Sequence, residues 1–120
     1  MNKSTLVIGA STNPERYSFK AIHLLKEYHH DIFAYSNKAG EVAGINITID
    51  QIFYPNLNTV TLYINPIRQK DLYAYLISLH PRRIIFNPGA ENEELAKLAN
   101  AHGIETIEAC TLVLLRTNQY

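Results

Sequence analysis

Short apolar runs alternate along the chain with segments of helical period, the pattern of a parallel sheet whose strands are joined by crossover helices. The run TLVIGA, Thr5 to Ala10, is apolar at consecutive positions and predicts a first strand buried on both faces. YSFKAIHLLKEYHH predicts a helix, with Phe19, Ile22 and Leu25 on one side and Ser18, Lys26 and His29 on the other. DIFAYS, Asp31 to Ser36, predicts a second strand, and TVTLYIN, Thr59 to Asn65, a third rich in β-branched residues. RQKDLYAYLISL then sets Leu72, Tyr75, Leu76 and Leu79 on one helical stripe.

RIIFN, Arg83 to Asn87, predicts a fourth strand. In ENEELAKLANAHG, Leu95, Leu98, Ala99 and His102 share a helical face, the acidic first turn suits the helix dipole, and Gly103 is placed to end the helix. IETIEA, Ile104 to Ala109, predicts a fifth strand, whereas CTLVLLRTNQY fits a short helix and an edge strand equally. Residues 39–58 are least regular; Gly40, Gly44 and Pro55 bound a short strand and a helical turn. The expected architecture is α/β: a Rossmann-type parallel five-stranded sheet flanked by helices in three layers. Ligands are expected outside the carboxyl ends of its strands.

Composition narrows the picture. The 120 residues suit one domain spanning 1–120, and 47% hydrophobic with 18% charged residues is a globular balance. Equal numbers of acids and bases argue against a general nucleic-acid or membrane-surface binder, which would carry an excess of Lys and Arg. No segment approaches the roughly 18 apolar residues of a membrane span. Cys110 is the only cysteine, so an internal disulfide is excluded and a reducing, cytoplasmic setting is expected.

An anion site on a neutral chain must be local, and the cations divide by strand end. Arg16, Lys38 and Arg68 follow the first, second and third predicted strands, at the ligand edge. Lys3, Arg82 and Arg83 precede strands and are expected at the opposite edge as solvated charges. The first turn, GASTNP, offers Gly9 for close backbone approach, hydroxyls at Ser11 and Thr12, and a helix start capped by Asn13 or Ser18. It satisfies neither the dinucleotide GxGxxG fingerprint nor a P-loop. An NAD site wants an acid after the second strand; here Ser36, Asn37 and Lys38 stand there, which suits a phosphorylated ribose, as in NADP or coenzyme A.

GASTNPERYSFKAIHLL resembles the opening GAS-x-N-P-x-R-x-S of small stand-alone CoA-binding domain proteins, related to the CoA domain of succinyl-CoA synthetase α subunits. The resemblance runs on through SNKAGEVAG, LYINP and PGAENEELAKLANAHGIETIEAC. It implies coenzyme A with its pyrophosphate at Gly9, Ala10, Ser11, Arg16 and Ser18, and Lys38 facing the nucleotide phosphates. It also implies Pro66 near the adenine, and Asn87, Pro88 and Gly89 flanking the ligand. Two positions depart from the family pattern: Ser36-Asn37 stands where Asn-Pro precedes the lysine, and Tyr17 occupies a variable position where smaller residues also occur.

Candidate chemistry is sparse. No charged neighbour in sequence activates Cys110, which reads as a buried structural thiol. His23, His29, His30, His80 and His102 lack metal-ligand spacing, and Glu91, Glu93 and Glu94 are explained by a helix first turn. The eight tyrosines, Tyr63, Tyr73 and Tyr75 among them, suit the core or an oligomer surface, including that of a homodimer. The expectation is non-catalytic binding of coenzyme A or an acyl-CoA, with no metal. The alternatives are an NADP or other nucleotide-binding module, and an interaction domain whose nucleotide site has decayed.

Overall fold

The computed structural model describes residues 2–120. Its strands are β1 (Thr5–Ile8), β2 (Ile32–Tyr35), β3 (Gly40–Val42), β4 (Ile45–Thr48), β5 (Thr59–Leu62), β6 (Arg83–Phe86) and β7 (Glu105–Glu108). Its helices are α1 (Tyr17–Glu27), α2 (Pro66–Gln69), α3 (Tyr73–Leu79), α4 (Glu93–Ala101) and α5 (Thr111–Arg116). All seven strands form one sheet in the order β3-β4-β2-β1-β5-β6-β7, parallel throughout except for the β3–β4 pair.

The sheet therefore has seven strands where five were expected. The additional two are the β3–β4 hairpin in the irregular stretch, where a short strand and a helical turn were expected. Its tight turn holds Ala43 and Gly44 at φ of 53° and 82°, the backbone twist that suits a two-residue hairpin. β4 pairs parallel with β2, so the hairpin takes the place of a crossover helix on that side. The ambiguous tail resolves as helix α5, whose buried Leu112, Leu114 and Leu115 show that it packs by helical faces.

Helices cover both faces of the sheet. Leu6, Ile8, Val60, Leu62, Ile84 and Phe86 form one core with Leu76 and Leu79 of α3 and Leu95 and Ala99 of α4. On the other face, Val7, Ala34 and Ile47 pack against Ile22 and Leu25 of α1 and Leu115 of α5. Each fully enclosed aliphatic side chain contributes about 1.5–3 kcal/mol. The predicted stripe Leu72, Tyr75, Leu76 and Leu79 is buried throughout. On α1 the buried face is Ser18, Ala21, Ile22 and Leu25, with Phe19 at its margin, so Ser18 faces inward rather than to solvent.

The amino edge of the sheet differs from its sequence reading too. Arg83 is half-buried, its Nε donating to Thr59 Oγ1 at 2.8 Å and its guanidinium lying 4.4 Å from the Tyr120 ring centroid. Lys3 donates to the Tyr120 carbonyl at 2.6 Å. These two cations thus anchor the last residue across β1, β5 and β6 rather than standing free in solvent; Arg82 alone of the three is exposed.

Candidate functional site

At the carboxyl edge the connections leave β1 and β5 towards opposite faces, α1 on one and α2–α3 on the other. Such a switch point leaves a crevice. A cavity of about 520 Å³ opens there, lined by the β1 turn (Gly9 to Asn13, with Arg16 to Ser18), Ser36 to Ala39 after β2, Ile47, Tyr63, Ile64 and Arg68 after β5, and Pro88 after β6.

Two glycines let these loops close on one another. At Gly9, φ is 87° and an added Cβ would lie 2.7 Å from Ile64 Cγ2, so the β5 loop nestles where a side chain would otherwise be. At Gly40 an added Cβ would lie 2.7 Å from Thr12 Cγ2, which draws the loop carrying Lys38 against the first turn.

The backbone donors of this turn are divided. Gly9 and Ala10 both donate their N–H to the Tyr35 carbonyl, at 2.9 and 3.2 Å, so these two groups serve the sheet. Asn13 forms the bend before the helix, its Oδ1 accepting from the Glu15 N–H at 3.0 Å and its carbonyl from the Arg16 N–H at 3.0 Å. Arg16 itself is the N-cap of α1 and supplies no side-chain cap, unlike the expected Asn13 or Ser18. The first-turn N–H groups of an α-helix have no acceptor within the helix, and Arg16, Tyr17 and Ser18, where α1 begins, all line the cavity.

The cavity is cationic without being acidic anywhere. Arg16, Lys38 and Arg68, drawn from three different loops, line it with no Asp or Glu. The single ion pair among the described residues is Lys97 with Glu93 at 3.6 Å, on the exposed side of α4. Lining residues with hydroxyls are Ser11, Thr12, Tyr17, Ser18 and Ser36, while Tyr63 keeps its own hydroxyl buried; no His or Cys joins them. Tyr17 is 67% exposed, its ring 5.4 Å from the Lys20 ammonium. Tyr63 has a buried hydroxyl without a hydrogen-bond partner, and burial raises its pKa well above the ordinary phenol value.

Of the residues named from sequence, Gly9, Ala10, Ser11, Arg16, Ser18, Lys38 and Pro88 are brought together in this lining. Pro66, Asn87 and Gly89 are adjacent in the chain but are not among the lining residues. Pro66 starts α2, which Asn65 caps through the Arg68 N–H. Asn87 is buried and holds Thr61, the Leu62 carbonyl and the Thr111 N–H, so it anchors the loop from behind. Sequence reasoning missed Ile47, Tyr63 and Ile64 as walls, which become neighbours of the turn only through sheet order. Cys110, half-buried, precedes α5 and lies outside the lining. Among the described residues no cluster of His, Cys, Asp and Glu is placed to hold a metal, and no helix is long and apolar enough to cross a membrane.

The sequence profile described as a CoA binding domain matches residues 3–116. The chain belongs to this CoA-binding family. No curated protein matches it. Among solved structures, the crystal structure of an uncharacterized protein shares 42% identity over 100% of this chain and 99% of its own, with a TM-score of 0.98. A hypothetical protein from Pyrococcus horikoshii shares 22% identity over 96% of this chain and 83% of its own (TM-score 0.82), and a structure from Thermus thermophilus, cell-free ID.343, shares 18% over 99% and 91% (TM-score 0.86). The latter two are alike in fold. Membership of this family supports coenzyme A as a ligand of the chain.

Proposed function

We propose that the chain binds coenzyme A or an acyl-CoA in the carboxyl-edge cavity and performs no bond-making chemistry on it. The observation that carries this reading is the wall of Arg16, Lys38 and Arg68 beside the α1 N-terminus, without an acid, on a chain whose acids and bases balance. A pyrophosphate suits the first turn of α1, where N–H groups and the Arg16 guanidinium converge. Lys38, at the exit of β2, is assigned to the phosphate on the ribose. Pro88 supplies the wall on the β6 side, with Asn87 as its buried support, and Pro66 orients the α2 turn that carries Arg68.

Titration calorimetry with coenzyme A, dephospho-CoA, NADP and NAD tests the assignment. Coenzyme A is expected to bind more tightly than dephospho-CoA, with the difference abolished in Lys38→Ala. Tighter binding of NADP than of coenzyme A would favour the nucleotide-module alternative, which the same lysine supports. Failure of all four to bind at about 1 mM would sink the reading.

A further inference from the structure

Gln69 is fully enclosed although it ends a four-residue helix, α2, and stands between two exposed residues, Arg68 and Lys70. Both functional ends of its amide are occupied. Nε2 donates to the Ile64 carbonyl at 2.8 Å and to the Ala90 carbonyl at 2.7 Å, while Oε1 accepts from Asn92 Nδ2 at 2.9 Å. Asn92 in turn donates to the Tyr73 hydroxyl at 2.8 Å and caps α4 through the Leu95 N–H at 3.1 Å.

One amide therefore joins the segment leaving β5 to the segment leaving β6. Those segments carry two walls of the cavity: Ile64 and Arg68 on one, Pro88 on the other. A helix of one turn has too few internal hydrogen bonds to hold its own direction. The direction of Arg68, the preceding residue, then rests on the Asn65 cap that accepts its N–H and on where Gln69 is fastened. A methionine or leucine would fill the same space without linking the loops, so burial alone does not account for the amide.

Resting on the CoA reading of the cavity, we infer that Gln69 is a positioning residue: it braces the Arg68 wall against the Pro88 wall without touching the ligand. The brace is a property of the free protein, and its effect on binding passes through Arg68.

Two substitutions test this. Gln69→Met keeps the volume and removes the amide; Asn92→Asp keeps an acceptor for the α4 cap and removes the donor to Gln69, and it serves where the first variant fails to fold. In the free protein, amide hydrogen exchange is expected to quicken in residues 64–69 and 87–92 while β1 keeps its protection. Affinity for coenzyme A is expected to fall about fivefold or more in the otherwise native chain and to fall no further in an Arg68→Ala background, the non-additivity of coupled neighbours. Unchanged exchange in both segments, or the same fold-loss in both backgrounds, overturns the inference. If the native chain does not bind coenzyme A, the CoA reading fails, and exchange still decides whether the brace exists.

Discussion

Gly9 shows how one missing methyl shapes the site. Alanine there would meet Ile64 at 2.7 Å in a backbone conformation, φ of 87°, that side chains disfavour. Gly9→Ala is expected to lower stability by about 2–4 kcal/mol, from overpacking plus the left-handed penalty, read as a lower urea midpoint. Arg16 presents the converse case. It is exposed and makes no ion pair among the described residues, so Arg16→Ala should leave the melting temperature nearly unchanged. On the CoA reading it weakens binding by roughly 1.5–3 kcal/mol, the scale of a charged hydrogen bond; unchanged affinity by calorimetry would remove Arg16 from the site. The cations were legible in sequence because a residue just after a parallel strand must lie at that strand's carboxyl end. Ile47 and Ile64 were not, since only sheet order and loop packing bring them to the cavity; nor was Gln69 behind it, because a lone Gln in a helical stretch carries no periodic signal.

At the level of elements, the strands that pair in the middle of the sheet were readable from their apolar runs, and α3 from its stripe. The β3–β4 hairpin was not. Its strands are three and four residues long, and its turn is Ala-Gly rather than the Asn-Gly that usually announces one. The close of α1 shows an element whose junction titrates. His30 follows the helix, and its Nδ1 accepts the Lys3 N–H at 2.9 Å, a bond that only the unprotonated nitrogen can make. Burial lowers the His30 pKa, and the positive charges of Lys3 and Arg83 lower it further against the opposing pull of Asp31. The unfolded chain then binds this proton more readily than the folded one, so His30 contributes stability above the unfolded value of about 6.5 and loses it as pH falls towards the folded value. Chemical denaturation between about pH 7.5 and 5 should show this decline. His30→Gln should flatten it; an identical slope in the variant would assign the decline elsewhere.

For the molecule as a whole, charge neutrality and a cationic cavity coexist because the acids lie elsewhere: Glu93 and Glu94 start α4, and Glu105 and Glu108 lie on the edge strand β7. On the CoA reading, attraction for the polyanion is local, exposed and open to screening. Raising ionic strength from about 0.05 to 0.5 M should weaken coenzyme A binding markedly, as the screening length shrinks to a few ångströms. An affinity independent of salt would mean that phosphate contacts contribute little. The anchoring of Tyr120 by Lys3 and Arg83 has a different consequence. Residues 3 and 120 touch at the edge opposite the cavity, and the Ala43–Gly44 turn also lies on that far edge. A short peptide could join the former pair while the chain is opened at the latter. Such a circular permutant would reorder the sequence completely and leave every loop around the cavity intact, the topology wanted for grafting this module into another protein.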